Sequence, residues 1–206
     1  MSMRIGLGFD SHAFHPGVPL VIGGLKIDHP EGLAGHSDGD LLLHAVTDAL
    51  LGAVCAGDIG TFFPPSDERW KGADSAVFLR TALEEVALAG YKIVNIDCVL
   101  VMHRPKIVPI AGEMRERLAD LLGLPMNCVS IKGKTPEGLA QDGTAVCHVV
   151  ALLESIKLPD EHKKLTMEAD VPADEIETVV SSLVGDVHDI SALGRKVTVF
   201  DPDDLT

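Results

Sequence analysis

The spacing of apolar residues changes period early in the chain, and that change restricts the fold more than any other feature. From Arg4 to Phe14, Ile5, Leu7 and Phe9 alternate with Gly6, Gly8 and Asp10, the period of a β-strand. From Asp40 to about Cys55, Leu43, Val46, Thr47, Leu50 and Leu51 recur in helical spacing, with Asp40 placed to cap the helix. A chain that opens on a strand and soon turns to an amphipathic helix must pack helix against sheet. The remaining segments extend the pattern. Val21–Ile27 reads as a short β segment interrupted by Gly23-Gly24, and residues 30–39 (PEGLAGHSDG) as a loop of turn formers. Asp58–Pro65 reads as an irregular turn, and Asp74–Ala89 as a second helix closed by Gly90. Tyr91–His103 is a strand, Pro105 opens a third helical region through about Leu122, and Gly123 closes it. Val129–Lys134 and Thr144–Glu154 are the last strands. The order predicts an α/β chain of the α+β two-layer sandwich type, a mixed β-sheet packed on helices. Some strands are long for a small sheet, which points to an oligomer sharing sheet edges.

Composition divides the chain. Residues 156–206 carry 12 acidic and 5 basic side chains, half of the formal net charge of −14 on about a quarter of the 206 residues. Residues 1–155 are therefore expected to form one domain, and residues 156–206 an acidic C-terminal extension. The extension holds one helical candidate, Ala173–Leu183, and a short alternating segment, Lys196–Phe200. So strong a negative charge argues against a nucleic-acid partner. No apolar run approaches the roughly 20 residues of a membrane helix, and the start, MSMRIGLGFDSHAF, lacks the apolar stretch of a signal peptide. A cytoplasmic protein is expected. Cys55, Cys98, Cys128 and Cys147 show no CxxC spacing and read as reduced thiols, mostly buried. Cys147 and His148 are adjacent on a strand, so they point to opposite faces and do not make a ligand pair.

Three constellations carry chemical potential. Asp10 and His12 lie two apart on a strand, so both side chains emerge on one face. Spacing alone favours the plainer reading, a surface Asp and His at a strand end. Gly35-His36-Ser37-Asp38-Gly39-Asp40 leads into the helix, with His44 on its first turn; a buried structural histidine is the other reading there. Asp38-Gly39-Asp40 lacks the ligand spacing and closing Glu of a calcium loop. Asp10, His12 and His44 together would form a nitrogen-rich site open at one position, as catalytic zinc sites are. A phosphate oxygen would fit that opening, with the metal as Lewis acid. Third, Lys132, Lys134 and Thr135 near a turn suit phosphate, and Glu137 suits a hard cation such as Mg2+. Gly6-Leu7-Gly8 has no third Gly and opens no helix, so it is a weak dinucleotide signal.

Read in order, these segments resemble one family, the 2-C-methyl-D-erythritol 2,4-cyclodiphosphate synthases of the non-mevalonate isoprenoid pathway. The matching stretches include residues 4–12, Val21 to Gly24, Gly35 to Asp40 with His44, Thr47 to Gly52, Gly57 to Gly60, Phe63-Pro64, Gly72 to Ser75, Pro105-Lys106 and Lys132 to Glu137. The resemblance implies a homotrimer with sheets assembled around the trimer axis and active sites between subunits. It implies a cytidine diphosphate substrate whose 2-phosphate attacks the β-phosphorus, so that a cyclic diphosphate forms and CMP leaves. By the same resemblance Asp10, His12 and His44 hold Zn2+, and Glu137 helps hold Mg2+ or Mn2+ at the diphosphate. His36 and Thr135 would stabilise the transition state. Ser37, Asp58 and Gly60 would line the diol pocket, with Phe63 also among the substrate-binding residues. Met102, Pro105, Lys106, Ile107, Lys134 and Thr135 would cradle the cytidine side.

The chain also departs from the family pattern. The usual Leu-Gly-Phe-Thr-Gly-Arg-x-Glu-Gly run after the Glu is here Gly138 to Gly143, shorter by about three residues and without the Arg. Phe9 matches the family's axial cavity, but its polar partners do not. The usual Thr before Thr135 is Lys134, and the usual Ala-Gln before Pro-Lys is Met102-His103, followed by Arg104. Two other activities stand beside the synthase reading: a catalytically weakened metal-binding trimer serving as ligand sensor or scaffold, and a metal-dependent phosphohydrolase.

Overall fold

The computed structural model describes residues 2–138 and 143–156. The expected extension helix at 173–183 and the segment 196–200 lie outside the described residues. In chain order, β1 (Met3–Pro16) is followed by β2 (Leu20–Ile22), β3 (Leu25–Ile27) and β4 (Glu31–Leu33). Then come α1 (Leu41–Ala53), the single turn α2 (Ile59–Phe62), α3 (Ser75–Leu88) and β5 (Tyr91–Val101). The described chain ends with α4 (Ala111–Leu122), β6 (Val129–Lys134) and β7 (Thr144–Ser155). Five strands form one sheet in the order β4-β1-β7-β5-β6, and β2 and β3 form a separate hairpin. β5 and β6 are parallel, whereas β1, β7, β5 and β4 pair antiparallel. The sheet is therefore mixed, as expected.

The helical layer is built on α1. Leu41, Leu42, Leu43, Ala45, Val46, Ala49, Leu50 and Leu51 are all fully buried. A helix apolar everywhere but on the narrow stripe of His44, Asp48 and Gly52 must be largely enclosed; α1 lies between the sheet on one side and α3 on the other. Two glycines make the close approach possible. A Cβ at Gly6 would stand 1.8 Å from the Ala49 carbonyl oxygen, and one at Gly8 would stand 1.8 Å from that of Ala45. Gly6-Leu7-Gly8 is thus a seat for the α1 backbone and not a nucleotide fingerprint.

The opposite face of β1 is bare. Ile5 and Leu7 are each 70% exposed, Phe9 53% and Met3 51%, and Val150, paired with Leu7, is 38% exposed. Among the described residues nothing covers this apolar strip.

Several segments differ from the sequence expectation. Val21–Ile27 is β on both sides of Gly23-Gly24, as expected, and its two halves pair as a hairpin because the glycines take φ of 65° and 72° and turn the chain back within two residues. The expected loop 30–39 contains β4, whose three residues zip onto Phe14, His15 and Pro16. A run that short shows no period. The Asp58–Pro65 turn contains α2, capped where Asp58 accepts the Thr61 N–H. The third helix starts at Ala111 and not at Pro105. The segment before it is tied down instead by Met102 and Ile107, both buried, with Ile107 against Gly133. Gly90 and Gly123 stop their helices as expected, with φ of 75° and 63°. Cys98 and Cys147 are buried, but Cys55 is exposed and Cys128 partly so.

Candidate metal centre

The even-numbered residues of β1 face the helices, so Gly6, Gly8, Asp10 and His12 form one row. With Ala45 held on Gly8, His44 at the start of α1 meets the two polar residues further along that row. Asp10 Oδ2 lies 2.8 Å from His12 Nε2 and 3.0 Å from His44 Nδ1. The two nitrogens are 3.2 Å apart. A tetrahedral ion with bonds of about 2.0–2.1 Å holds its ligand atoms roughly 3.3 Å apart, so this triangle has the size of a single-ion site. The donor set, two imidazoles and a carboxylate, is that of a catalytic rather than a structural zinc site. The second hydrogen bond of each ring orients it. His12 Nδ1 faces the Ala34 carbonyl, which takes the proton of the neutral ring and so leaves the Nε2 lone pair for an ion. His44 Nε2 lies 2.9 Å from both the Ser37 and the Ser75 hydroxyl, and its Nδ1 points inward. The three side chains are 12% to 24% exposed, so the triangle is open on one side.

Charge within the site is arranged around Asp10. Burial pushes its carboxyl up, but hydrogen bonds and charge from His12 and His44 outweigh that and hold it well below the usual range. For His12, burial opposes the charged form, and the Asp10 carboxylate overcomes it and raises the imidazole above 6.5. Asp48 is one helical turn beyond His44. Burial pushes it up, and the Ile59 N–H donates to it at 2.8 Å. That bond ties α2 to α1. Asp40 is fully buried; burial raises it, and backbone N–H donors from Gly24, Leu43, Gly23 and Leu42 oppose the rise. It caps α1, as its position predicts, and also clamps the β2–β3 turn to the helix start.

Beside the triangle, Ser37 contacts His44 directly. His36 Nε2 is buried and finds no hydrogen-bond partner among the described residues. Phe63 packs 4.4 Å from Phe78 and 4.9 Å from Trp70, and Phe78 borders His44 at 6.0 Å. Asp58 and Gly60 sit at α2, where hydrogen bonds from Thr61 hold the Asp58 carboxyl below its usual range.

The remaining candidates form a second group. The Met102 N–H donates to the Lys134 carbonyl at 3.0 Å, so residues 102–107 and 134–137 lie together. Lys106, Lys134 and Glu137 are exposed, and Glu137 accepts the Thr135 hydroxyl at a φ of 47°. The side chains of Met102 and Ile107 belong to the core, which leaves their backbone groups for any ligand. In register, Ser11 aligns with Val146, Val101 and Lys134 across the sheet. Three strand spacings, about 14 Å, therefore separate the two groups in one chain. Among the described residues Glu137 is not part of the cluster formed by Asp10, His12 and His44.

Residue patterns alone did not single out Asp48, Asp38 and Ser75. Asp48 carried a usable signal, its spacing of four from His44 on one helix face. Ser75 meets His44 only through tertiary packing.

The sequence matches the YgbB family over residues 3–154. It is 61% identical over 152 residues to the 2-C-methyl-D-erythritol 2,4-cyclodiphosphate synthase of Koribacter versatilis (strain Ellin345), covering 74% of this chain and 98% of that protein. A solved 2-C-methyl-D-erythritol 2,4-cyclodiphosphate synthase superposes with a TM-score of 0.70 at 46% identity, over 73% of this chain and all (100%) of that one. A second structure of a synthase of that name, in a CDP-bound form, gives 0.69 at 44% identity over 73% and 100%. The residues that build the metal centre fall within the matched region, and the chain belongs to the YgbB family.

Proposed function

We infer that the chain is a 2-C-methyl-D-erythritol 2,4-cyclodiphosphate synthase: it cyclises 4-diphosphocytidyl-2-C-methyl-D-erythritol 2-phosphate and releases CMP, within the non-mevalonate isoprenoid pathway. The observation that carries the reading is the convergence of Asp10, His12 and His44 with lone pairs turned inward, in a chain so similar to enzymes of that name. Zn2+ bound there would act as a Lewis acid on the phosphates. The protein's own task is to position and to neutralise charge, because a substrate carrying its own nucleophilic phosphate needs no protein nucleophile. His36, with Nε2 unpaired, donates to a phosphoryl oxygen. Ser37 and Asp58 bind the diol hydroxyls, with the Gly60 backbone and Phe63 beside them. Thr135, whose hydroxyl Glu137 accepts in the free protein, would turn that donor to the diphosphate once Glu137 takes Mg2+ or Mn2+, and Lys106 and Lys134 offset the diphosphate charge. The backbone of Met102, Pro105 and Ile107 borders the cytidine.

Assembly follows from two features. A diphosphate cannot bridge groups about 14 Å apart, so the Thr135 group of one subunit works with the Asp10 group of another. The bare strip of Ile5, Leu7 and Phe9 packs around the axis of a homotrimer. The catalytic domain is residues 1–155, with 156–206 an appended acidic extension, and the enzyme works in the cytoplasm. No helix among the described residues is long and apolar enough to cross a membrane.

Phosphorus NMR tests this reading. Protein supplied with Zn2+ and Mg2+ should convert the substrate to the cyclic diphosphate with one CMP per turnover, and His44→Ala should lose both zinc and turnover. Failure of the wild type to release CMP would refute the assignment.

A further inference from the structure

The structure assigns a positioning role at the metal centre to Ser75 and Asp38, two residues outside the ligand triangle. The inference rests on the reading that Asp10, His12 and His44 hold a divalent cation. His44 Nε2 lies 2.9 Å from the Ser75 hydroxyl oxygen. Ser75 is fully buried in the first turn of α3, and its hydroxyl donates to Asp38 Oδ1. The other partners of that carboxylate are donors too: the Ser75 N–H on Oδ2 and the Asp40 N–H on Oδ1, each at 3.1 Å. An acceptor-only carboxylate therefore fixes the direction of the Ser75 hydroxyl proton.

With its proton committed to Asp38, Ser75 Oγ faces His44 as an acceptor. When Asp10 binds an ion instead of accepting from His44, neutral His44 must carry its proton on Nε2, which frees the Nδ1 lone pair 3.0 Å from Asp10 Oδ2. The opposite tautomer would place an N–H at Nδ1 and block coordination. Ser37 cannot enforce this choice. Its hydroxyl also reaches His44 at 2.9 Å, but among the described residues it has no carboxylate partner and can donate or accept. The arrangement is a carboxylate–imidazole pairing lengthened by one hydroxyl.

A merely structural role makes a different prediction. Backbone bonds from Asp38 N to the Ala73 carbonyl (3.0 Å) and from Gly72 N to the His36 carbonyl (2.8 Å) already join this loop to the start of α3. The side-chain relay is not needed to hold it there.

The test is zinc affinity of the full-length chain, measured by competition with a chromophoric chelator, beside the melting temperature of the metal-free protein. Ser75→Ala and Asp38→Asn should each weaken zinc binding roughly 10- to 100-fold. Ser75→Thr, which keeps the hydroxyl, should restore most of it, and Ser37→Ala should change it far less. Asp38→Asn keeps the side-chain size, so it decides the matter even if Ser75→Ala folds poorly. Wild-type affinity in both variants, or losses that only follow the metal-free melting temperature, would overturn the positioning role and leave the ligand reading intact. A wild type that binds no zinc would overturn both.

Discussion

Asp10 and His12 illustrate how one pair of side chains is used in two states of the protein. Without metal, His12 is raised above 6.5 by Asp10, and Asp10 is held below 3.8 by the two histidines. The carboxylate's contribution to stability is present above its unfolded value of 3.8 and fades as pH falls through its lowered folded value. The imidazole's contribution is present below its unfolded value of 6.5 and fades as pH rises through its raised folded value. Chelator-treated wild type should therefore exceed His12→Gln in melting temperature most between pH 3.8 and 6.5, with the gap narrowing toward alkaline pH. A gap that widens with pH would mean that the pair is not ionic in the metal-free state. A divalent cation bound there would reverse the dependence, because an imidazole must lose its proton to coordinate. The residues of this triangle were legible in the sequence through period two on a strand and a first-turn histidine. Their partners were not. Ser75 and Asp38 lie 31 and 6 positions from His44, and only folding sets their side chains beside its ring. The resemblance set Met102 and Ile107 among substrate-binding residues, and the structure buries both side chains in the core, which the sequence did not reveal.

At the level of elements, long periodic segments were readable and short ones mostly were not, the β segment broken at Gly23-Gly24 excepted. β1, α1, α3, β5, β6 and β7 announce themselves by period and by capping or stop residues. β4 and α2 are three and four residues long and exist because of partners: β4 because β1 overruns its apolar alternation to Pro16, and α2 because Asp48 receives Ile59. Asp40 links these classes. It was legible as an N-cap, but its grip on Gly23 and Gly24 appears only in three dimensions. Asp40→Ala should lose the cap and leave buried N–H groups unpaired, a destabilisation on the order of 3 kcal/mol. Urea unfolding of the metal-free protein checks this, with Asp40→Asn recovering part of the loss. A change under about 0.5 kcal/mol, the level of an ordinary surface substitution, would mean that the clamp contributes nothing.

For the assembled molecule, the exposed strip on β1 is the decisive feature. Alternation put Ile5, Leu7 and Phe9 on one face from the start, yet only the structure reveals that no described element covers them. If the proposed trimer shares its sites, Leu7→Glu should give a monomer by light scattering that keeps its divalent-cation affinity but releases almost no CMP, for want of a neighbour's Thr135 group. A fully active monomer would contradict the shared site. Intramolecular cyclisation itself is tested by turnover in water labelled with heavy oxygen. The 2-phosphate of the substrate, and not water, should form the new bond to phosphorus, so CMP and the cyclic diphosphate should appear in equal amounts with no label in either. Labelled linear phosphates would mean that the Asp10, His12 and His44 centre serves hydrolysis instead.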